Sequence, residues 1–228
     1  MALDMLHVNE IARAVRLLCQ SGVPLREDCL ASDEVIVGSN ELFEVGDDVA
    51  LLDDDTPAEE RTVVGKSGLT VLSLNQPVAG AYEVAKHAWI RLATPRLTDV
   101  QFVAQGRPDL VPEPRGERFP CIVVQPGLVR QLGNEGPNKA FPQEYDFHVY
   151  YIRKHAPGEE AGIRALDEAA ALFNLLMEDT YLGGTCWYSQ VTRLDPDDSV
   201  GVGFRERRVP LDVIRLDLTA RRLEPWPK

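Results

Sequence analysis

The sequence has few of the residue patterns that mark redox, metal-binding and secreted proteins. Its 228 residues include only four cysteines and four histidines. The cysteines are Cys19, Cys29, Cys121 and Cys186. None forms a C-x-x-C pair, and the histidines are scattered without an i,i+4 pair. We therefore expect free thiols that act as small core residues, and we expect no metal and no cofactor.

Long apolar runs are also missing. No stretch approaches the roughly 18 consecutive apolar residues that a transmembrane helix requires. The N-terminal residues lack the basic segment followed by an apolar segment that a secretory signal shows. These absences predict a protein that folds in the cytoplasm and has no membrane partner.

Motifs for known chemistry are absent as well. The sequence has no G-x-S-x-G nucleophile elbow, no P-loop, no H-E-x-x-H zinc motif and no glycine-rich dinucleotide fingerprint. Catalysis requires several reactive groups at fixed separations, and no such set is visible in the sequence. The sequence therefore predicts that the protein is not an enzyme.

Acidic charge is present in excess and is concentrated near the N-terminus. The formal net charge is −12. Residues 1–60 contain 15 acidic and 3 basic residues, whereas residues 61–228 contain 21 of each. Binding to nucleic acid requires clusters of Lys and Arg, so this balance argues against it. The excess either keeps the protein soluble or faces a partner or a pore.

The first part of the chain predicts a helix followed by a small β-barrel. Apolar residues from Leu6 to Leu18 fall near helical spacing, which predicts a helix over residues 3–20. Residues 34–94 contain short β-rich runs separated by Gly, Asp, Asn and Pro turn signals. Several short strands with tight turns are typical of an SH3-like β-barrel. Such barrels serve many functions, so the barrel alone indicates no activity.

The rest of the chain predicts a helix-covered sheet. Residues 95–118 are irregular and rich in Pro, and residues 119–222 read as two strands, a helix over 159–179 and two strands. The predicted fold class is α+β: an antiparallel four-stranded sheet packed by a helix (β-β-α-β-β), plus the small barrel. The predicted parts are an N-terminal helix and connection (1–33), the barrel domain (34–94) and an α+β domain (95–228).

Several local features of the α+β domain are also predicted. Residues 128–143 are expected to form a long loop, and residues 221–228 a polar tail. Two apolar neighbours, Val213 and Ile214, interrupt the alternation of the last strand and predict a β-bulge. The helix is expected to bury a stripe of apolar residues. They are Leu166, Ala169, Ala170, Phe173 and Met177, with Leu172 and Leu176 beside them.

Two charged clusters are the candidate sites. The possible interface or pore residues are Asp53, Asp54, Asp55, Arg205, Arg207 and Arg208. Three carboxylates can hold a hard cation such as Mg²⁺ or Ca²⁺, but adjacent residues on a turn point in different directions. A solvated turn is therefore the main interpretation of the acidic run, with an acidic patch as the alternative. The basic cluster is either a solvated strand edge or an inter-subunit partner for the acidic N-terminal part.

The order of these elements resembles that of phage tail terminators, including the lambda-like minor tail proteins. In that family's plan an N-terminal helix is followed by a strand entered through a Phe-Pro step, here Phe119-Pro120. A strand with aromatic residues then follows, here 145–151, and a helix and a long hairpin close the domain. The barrel at 34–94 is an addition to this plan and is similar to small barrels of phage neck and stopper proteins.

The resemblance implies a mechanical function. Family members form hexameric rings that sit on the end of the tail tube, stop its polymerisation and offer a docking face to the head. The expected partners are copies of the same chain, the tail tube protein and a head-side connector or stopper protein. Genomic DNA would pass through the lumen without specific binding. The expected location is the virion neck, after assembly in the host cytoplasm.

Two alternatives stay open. The first is a head-completion or stopper protein of the head-tail connector, which the barrel favours and the C-terminal unit disfavours. The second is a small-molecule-binding or hydrolytic α+β domain, for which the sequence supplies no catalytic groups. In the terminator hypothesis, the segments 95–118 and 128–143 are the arms that lock neighbouring subunits or grip the tube.

Overall fold

The chain folds mainly as β-sheet. The structure, a computed structural model, describes residues 5–107, 119–132, 140–154, 159–196 and 211–225. These residues form two α-helices and thirteen β-strands in three sheets. Strand accounts for 47% of the structure and helix for 18%. The prediction of a simple α+β fold is therefore wrong: the fold is strongly β-rich, with one curled antiparallel sheet and one mixed sheet.

The first helix, Met5–Cys19 (α1), is buried on several sides. The predicted apolar spacing is confirmed, because Ile11, Val15 and Leu18 are at most 1% exposed. Further buried residues of this helix are Val8, Ala12, Ala14, Leu17 and Cys19. The helix contacts strands of both large sheets and the second helix. It is therefore a core element that the two sheets share.

Six strands form the curled sheet. In spatial order they are Gly22–Pro24 (β1), Trp89–Leu92 (β8), Asp48–Leu52 (β4), Glu59–Ser67 (β5), Val71–Leu74 (β6) and Glu34–Ile36 (β3). Strands were predicted between residues 34 and 93, but β1 comes from the segment predicted as a connection. A bridge pairs Leu25 with Val37, and the Arg26 N–H donates to the Ile36 carbonyl at 2.9 Å. This contact joins the two outer strands, so the sheet closes on itself.

The interior of the curled sheet is apolar. Alternate side chains of its strands point inward, as the two-residue period of a strand requires. The buried inward residues include Val35, Val49, Leu51, Val63, Leu72 and Ile90. A separate two-stranded pair, Cys29–Leu30 (β2) with Ala81–Tyr82 (β7), lies beside it and adds the fully buried Tyr82.

Five strands form the mixed sheet. In spatial order they are Tyr188–Asp195 (β12), Leu211–Pro225 (β13), Ala140–Lys154 (β11), Cys121–Gln131 (β10) and Phe102–Gln105 (β9). Four of them are antiparallel neighbours, but β9 runs parallel to β10. The predicted four-stranded antiparallel sheet is therefore wrong, and part of the predicted irregular segment 95–118 is a strand. Four residues are too few for a clear period, and β9 is held by pairing rather than by propensity.

The long strands extend well beyond their predicted ends. The predicted loop at 128–143 is wrong at both ends, because β10 continues to Gln131 and β11 begins at Ala140; residues 133–139 lie outside the described part. Likewise, β13 continues to Pro225, through most of the predicted polar tail. A shift in register between Pro126 and Val129 lets β10 continue past its proline.

The predicted bulge at Val213 and Ile214 is wrong as well. The pairing of β13 with β11 runs without a shift from Leu211 to Pro225. Both residues are buried, Ile214 in the main core and Val213 in a smaller cluster on the opposite face of the sheet. Adjacent apolar residues occur there because Ile214 packs in the main core and Val213 in the small apolar cluster on the opposite face, not because the strand bulges. The shift lies instead in β12, between Val191 and Arg193.

The second helix, Glu159–Glu178 (α2), presents a different face to the sheet than expected. The helix itself is confirmed, and Ala169, Leu172 and Leu176 are buried as predicted. However, Leu166 is 52% exposed, and Ala170 is exposed as well. The stripe is rotated because Ala165 and Leu175 take the inner positions. The two helices contact each other and cover the same face of the mixed sheet.

Three glycines bring the two large sheets together. A Cβ on Gly38, just after β3, would lie 1.7 Å from the carbonyl oxygen of Gly183, in the loop after α2. A Cβ on Gly184 would lie 2.6 Å from the carbonyl oxygen of Gly38. We call these three residues the glycine junction. Backbones approach this closely only where side chains are absent, so the junction requires glycine.

The core is continuous across both sheets. A single cluster of buried apolar residues includes side chains of the curled sheet, both helices and the mixed sheet. A smaller cluster on the opposite face of the mixed sheet contains Cys121, Val123, Tyr150, Ile152 and Val213. The predicted boundaries at 33/34 and 94/95 stay predictions. The helix α1 packs against both large sheets and so joins the predicted parts.

Candidate functional site

The predicted acidic run forms a tight turn after β4. The carboxylate of Asp53 accepts the backbone N–H of Asp55 and the hydroxyl of Thr56, each at 2.9 Å. Burial alone would raise the pKa of Asp53, but these hydrogen bonds outweigh it and hold that pKa below its ordinary value. Asp54 pairs with a different residue. The carboxylates of Asp53 and Asp54 therefore serve separate contacts.

Asp54 pairs with His87, which lies shortly before strand β8 of the curled sheet. The distance from His87 Nδ1 to the Asp54 carboxylate is 2.8 Å, and both side chains are more than half exposed. His87 follows a turn of 3-10 helix, Val84–Lys86, and has a left-handed backbone (φ 59°). Its carbonyl accepts a hydrogen bond from Arg13 of α1 at 2.8 Å. The acidic turn is thus linked through His87 to the helix.

A groove of about 340 Å³ lies beside this pair. We call it the α1 groove, because Asn9, Arg13, Arg16 and Gln20 line one side of it. These positions are three or four residues apart and so share one face of the helix. The curled sheet contributes Trp89, and Gln105 at the end of β9 contributes from the mixed sheet. The groove therefore lies at the seam between the two sheets.

Two arginines give this groove its charge. Burial and the nearby positive charge of Arg16 lower the pKa of Arg13, and the Asp54 carboxylate only partly opposes them. The Nε atom of Arg16 is buried and has no hydrogen-bond partner in the part of the chain that the structure describes. A buried, unpartnered guanidinium donor is costly, because it has lost its water without gaining an acceptor.

A second, larger groove of about 510 Å³ lies on the other side of Arg13. It is lined by Trp187, which is 53% exposed, and by the charged residues Glu10, Arg26 and Arg222. These charges are already engaged: Arg222 donates to Glu10 at 2.8 Å, and Arg26 donates to the carbonyl of Gly184. Burial opposes ionisation of Glu10, but Arg222 and His7 outweigh it and lower its pKa.

The opposite face of the mixed sheet carries a polar network that sequence reasoning missed. His148 Nδ1 lies 2.7 Å from the Asp217 carboxylate, and Arg215 lies 3.0 Å from the same carboxylate. Farther along, Arg221 donates to Glu144 at 3.0 Å. The alternation of the strand placed His148 on this face, but its partner is 69 residues away in sequence. Long-range pairing of this kind leaves no local signal.

An Asp–His pair can relay a proton, but hydrolysis by such a pair also requires an activated nucleophile. All four cysteines are buried free thiols. Burial raises the pKa of Cys19 and of Cys186 to about 12. Thiols with such pKa values stay protonated at neutral pH and are poor nucleophiles. The cysteines therefore act as core residues, as their placement in the sequence predicted.

A further charged cluster fixes α2 to the mixed sheet. The carboxylate of Glu168 accepts the hydroxyl of Tyr151 at 2.6 Å, and it also pairs with Arg153 and Arg164. Burial, together with the neighbouring Glu168 carboxylate, raises the pKa of Tyr151. Arg164 also reaches Asp99, in the segment before β9. The cluster holds parts of the fold together and needs no ligand to explain it.

Several predicted site residues cannot be compared with these clusters. Arg205, Arg207 and Arg208 lie outside the described residues. Within the described ranges, no group of three or more His, Cys, Asp or Glu side chains is arranged to hold a metal ion. In the same ranges, neither helix is long and apolar enough to cross a membrane. No family model and no curated protein match this sequence.

Proposed function

We propose that this protein is a structural subunit of a phage neck, a tail terminator whose ring caps the tail tube, stops its polymerisation and provides the face to which the head docks. The order of α1, the strand pair β10–β11, α2 and the strand pair β12–β13 supports this proposal, and the curled sheet and β9 depart from the family's plan. The curled sheet is the added domain of this terminator.

The observation that carries the proposal is the edge of the mixed sheet at β12, which pairs only with β13 among the described residues. The edge strand β12 and the residue before it expose Trp187, Tyr188 and Leu194, which are 53%, 40% and 38% exposed. Exposed aromatic residues at a strand edge are a liability in a monomer, since they invite association. They are also the residues that most often dominate binding at interfaces. A subunit that pairs with a neighbour uses such an edge.

The two edges of the mixed sheet are different, which suits a ring. A closed ring requires a heterologous interface, in which one surface of a subunit contacts a different surface of the next. The edge strand β12 lies at one end of the sheet and β9 lies at the other. The curled sheet, whose outer strands are joined, offers no comparable edge. Association through β12 would leave the curled sheet free to reach another neck component.

The acidic N-terminal quarter fits a channel for DNA in this proposal. Repulsion between acidic walls and phosphates prevents DNA from adhering while it passes. Asp55 is exposed and, unlike Asp53 and Asp54, its carboxylate is free for such a role as far as the described contacts go. Neutralising exposed acids of residues 1–60, beginning with Asp55→Asn, should slow DNA ejection from purified particles. Unchanged ejection kinetics would count against an acidic lumen.

Electron microscopy of a phage with this gene disrupted tests the proposal. Abnormally long tails without heads would support the terminator. Tails of normal length beside empty, leaking heads would favour the alternative, a stopper on the head side. Normal infectious particles would exclude both functions.

Complementation then tests the edge itself. We expect the double variant Trp187→Ala, Tyr188→Ala to fold normally, as judged by thermal unfolding, and to leave the long-tail defect in place. The matched control is Leu30→Ser on β2, which removes an even more exposed apolar side chain (68%) outside the mixed sheet. It should restore normal tails. Restoration by the double variant would show that the β12 edge is not the interface.

A further inference from the structure

The α1 groove contains one cationic group, that of Arg16, that the described part of the fold does not use. Arg13 makes a hydrogen bond to the carbonyl of His87, whereas no hydrogen bond or ion pair joins Arg16 to any residue in the described ranges. The chain has 36 acidic residues for 24 Lys and Arg. In a protein with an excess of acidic residues, a half-buried arginine that pairs with none of them can bind a carboxylate of another molecule. The charges of the groove are independent of the proposed function.

The walls of the groove fix its shape. A Cβ on Gly22 would lie 2.8 Å from the ring of Trp89, so this ring packs directly against the backbone of β1. Asn9, Gln20 and Gln105 add neutral amide groups, and Gln105 contacts Asn9 at 3.5 Å. An aromatic side chain, neutral amide groups and two guanidinium groups are suited to a small, planar, singly charged anion.

Charge decides between a carboxylate and a phosphate. Asp54 lies at the rim of the groove, and the chain as a whole carries a net charge of −12. Both repel a phosphate, which carries up to two negative charges, more strongly than a carboxylate. A nucleic-acid strand would bring several phosphates, and two arginines in an acidic surrounding cannot neutralise them. A guanidinium binds a carboxylate through two parallel hydrogen bonds of matching geometry.

The open rim of the groove indicates that the carboxylate belongs to a protein and not to a small molecule. The Asp54 and His87 side chains at this rim are 62% and 63% exposed, so the groove is open to solvent. Small-molecule sites usually bury most of their ligand. An open groove is better matched to one side chain of a larger partner. We propose that the α1 groove binds an Asp or Glu side chain of a protein partner, with Arg16 as the main cation.

Isothermal titration with a capped Glu-Gly repeat peptide tests this proposal at low salt. The wild-type protein should bind the Glu peptide and not the matched Gln-Gly peptide, and binding should weaken as salt rises. Arg16→Gln should reduce the affinity about tenfold or more, as expected for the loss of a charge-assisted pair. The matched control is Arg91→Gln on β8, because Arg91 also has a buried, unpartnered Nε but does not line the groove.

A variant that binds the Glu peptide more tightly than wild type excludes misfolding as the explanation. Asp54→Asn removes the repelling carboxylate and should tighten binding of the Glu peptide, a result that misfolding cannot produce. Equal affinities of Arg16→Gln and wild type, or equal binding of the Gln peptide, would overturn the proposal. So would tighter binding of inorganic phosphate or of free glutarate than of the Glu peptide, since these would assign the groove to a phosphate or to a small carboxylate ligand.

Discussion

The two large sheets differ in how they protect their edge strands. The curled sheet is built from strands of three to nine residues. It removes its edges because a bridge joins its two outer strands, β1 and β3. The mixed sheet contains strands of up to 15 residues, keeps two edges and relies on two helices to cover one face. A closed sheet needs few partners, whereas a long open sheet needs covering elements and offers binding surfaces. In the proposed function, the mixed sheet is the part that binds neighbouring subunits, whereas the curled sheet, whose two outer strands are joined, has no such edge.

The strongest test of this comparison is α1, which serves both sheets. Ile11→Ala should lower the free energy of unfolding by about 2–5 kcal/mol, because it leaves a cavity at a fully buried position. Two single-tryptophan versions, keeping Trp89 or Trp187, can report on the two sheets separately during urea unfolding. Both reporters should show one shared transition. Separate midpoints would show that α1 does not couple the sheets.

The control for this substitution lies on α2. Leu166→Ala removes a similar apolar volume from a side chain that is 52% exposed. Its effect should stay within about 0.5 kcal/mol, since exposed positions away from special features tolerate change. A large loss would mean that the exposed strip of α2 is covered in solution.

The second test opens the seam between the sheets. Gly38→Ala places a methyl group 1.7 Å from the Gly183 carbonyl oxygen, so the glycine junction must separate. We expect a loss of about 1–3 kcal/mol by chemical denaturation, the usual range for overpacking. Gly65→Ala on β5 is the matched control, because its new Cβ meets only Ser73 at 3.5 Å. Equal losses from both variants would argue against a special role for the junction.

Sequence reasoning found the elements with a strong local period and missed those made by pairing. The helices α1 and α2 and the central parts of β10 and β11 were predicted from spacing alone. The strands β1, β2, β7 and β9 have two to four residues each. Such segments are held as strands by partners distant in the sequence, so no local pattern announces them. Because β9 was missed, the sheet was predicted to be entirely antiparallel, whereas the parallel pairing of β9 with β10 makes it mixed.

The site was less predictable than the fold. The acidic run was visible as three consecutive Asp residues, but its pairing with His87 depends on a contact between residues 33 positions apart. The helical spacing of Arg13 and Arg16 was also visible, yet the lack of an acid paired with Arg16 among the described residues is a property of three-dimensional packing. A signal that could have been used is the pair Arg13 and Arg16 at helical spacing, since residues 1–60 contain only one other basic residue, Arg26.

A third test concerns a turn within the curled sheet. The Glu59 carboxylate accepts the N–H groups of Ala79, at 2.9 Å, and of Gly80, and it pairs with Arg61 at 2.5 Å. Burial opposes ionisation, but these contacts outweigh it, so the pKa of Glu59 lies below its ordinary value. The stability contributed by this carboxylate is therefore present above the unfolded pKa and is lost as pH falls through the folded pKa.

Glu59→Gln should cost about 1 kcal/mol at pH 7, the usual net value of a lost hydrogen bond. The difference from wild type should begin to shrink as pH falls below the unfolded-state pKa of a Glu side chain, about 4.3, and should be lost as pH passes through the lower folded-state pKa of Glu59. Urea unfolding at several pH values measures this. The exposed neighbour Glu60→Gln serves as the control and should show no such pH-dependent difference. A constant difference across pH would contradict the assigned role of the Glu59 charge.

The smallest effect is expected at the edge of the mixed sheet. Arg193 on β12 pairs with Asp195 at 2.8 Å, but its side chain is 61% exposed. Arg193→Gln should change stability by less than about 0.5 kcal/mol, because exposed ion pairs contribute little. Thermal unfolding checks this. A loss above about 1 kcal/mol would show that this edge contributes to the fold itself and is not reserved for association.

The pairing of β1 with β8 has a consequence for how the gene could change. Gly22 and Arg91 are direct partners across these strands, so the chain leaves for the curled sheet and returns from it at one place. A segment whose two ends lie side by side can be acquired, exchanged or removed in a single recombination event. The helix before it and the sheet after it would keep their connection. The curled sheet is therefore positioned to behave as a cassette.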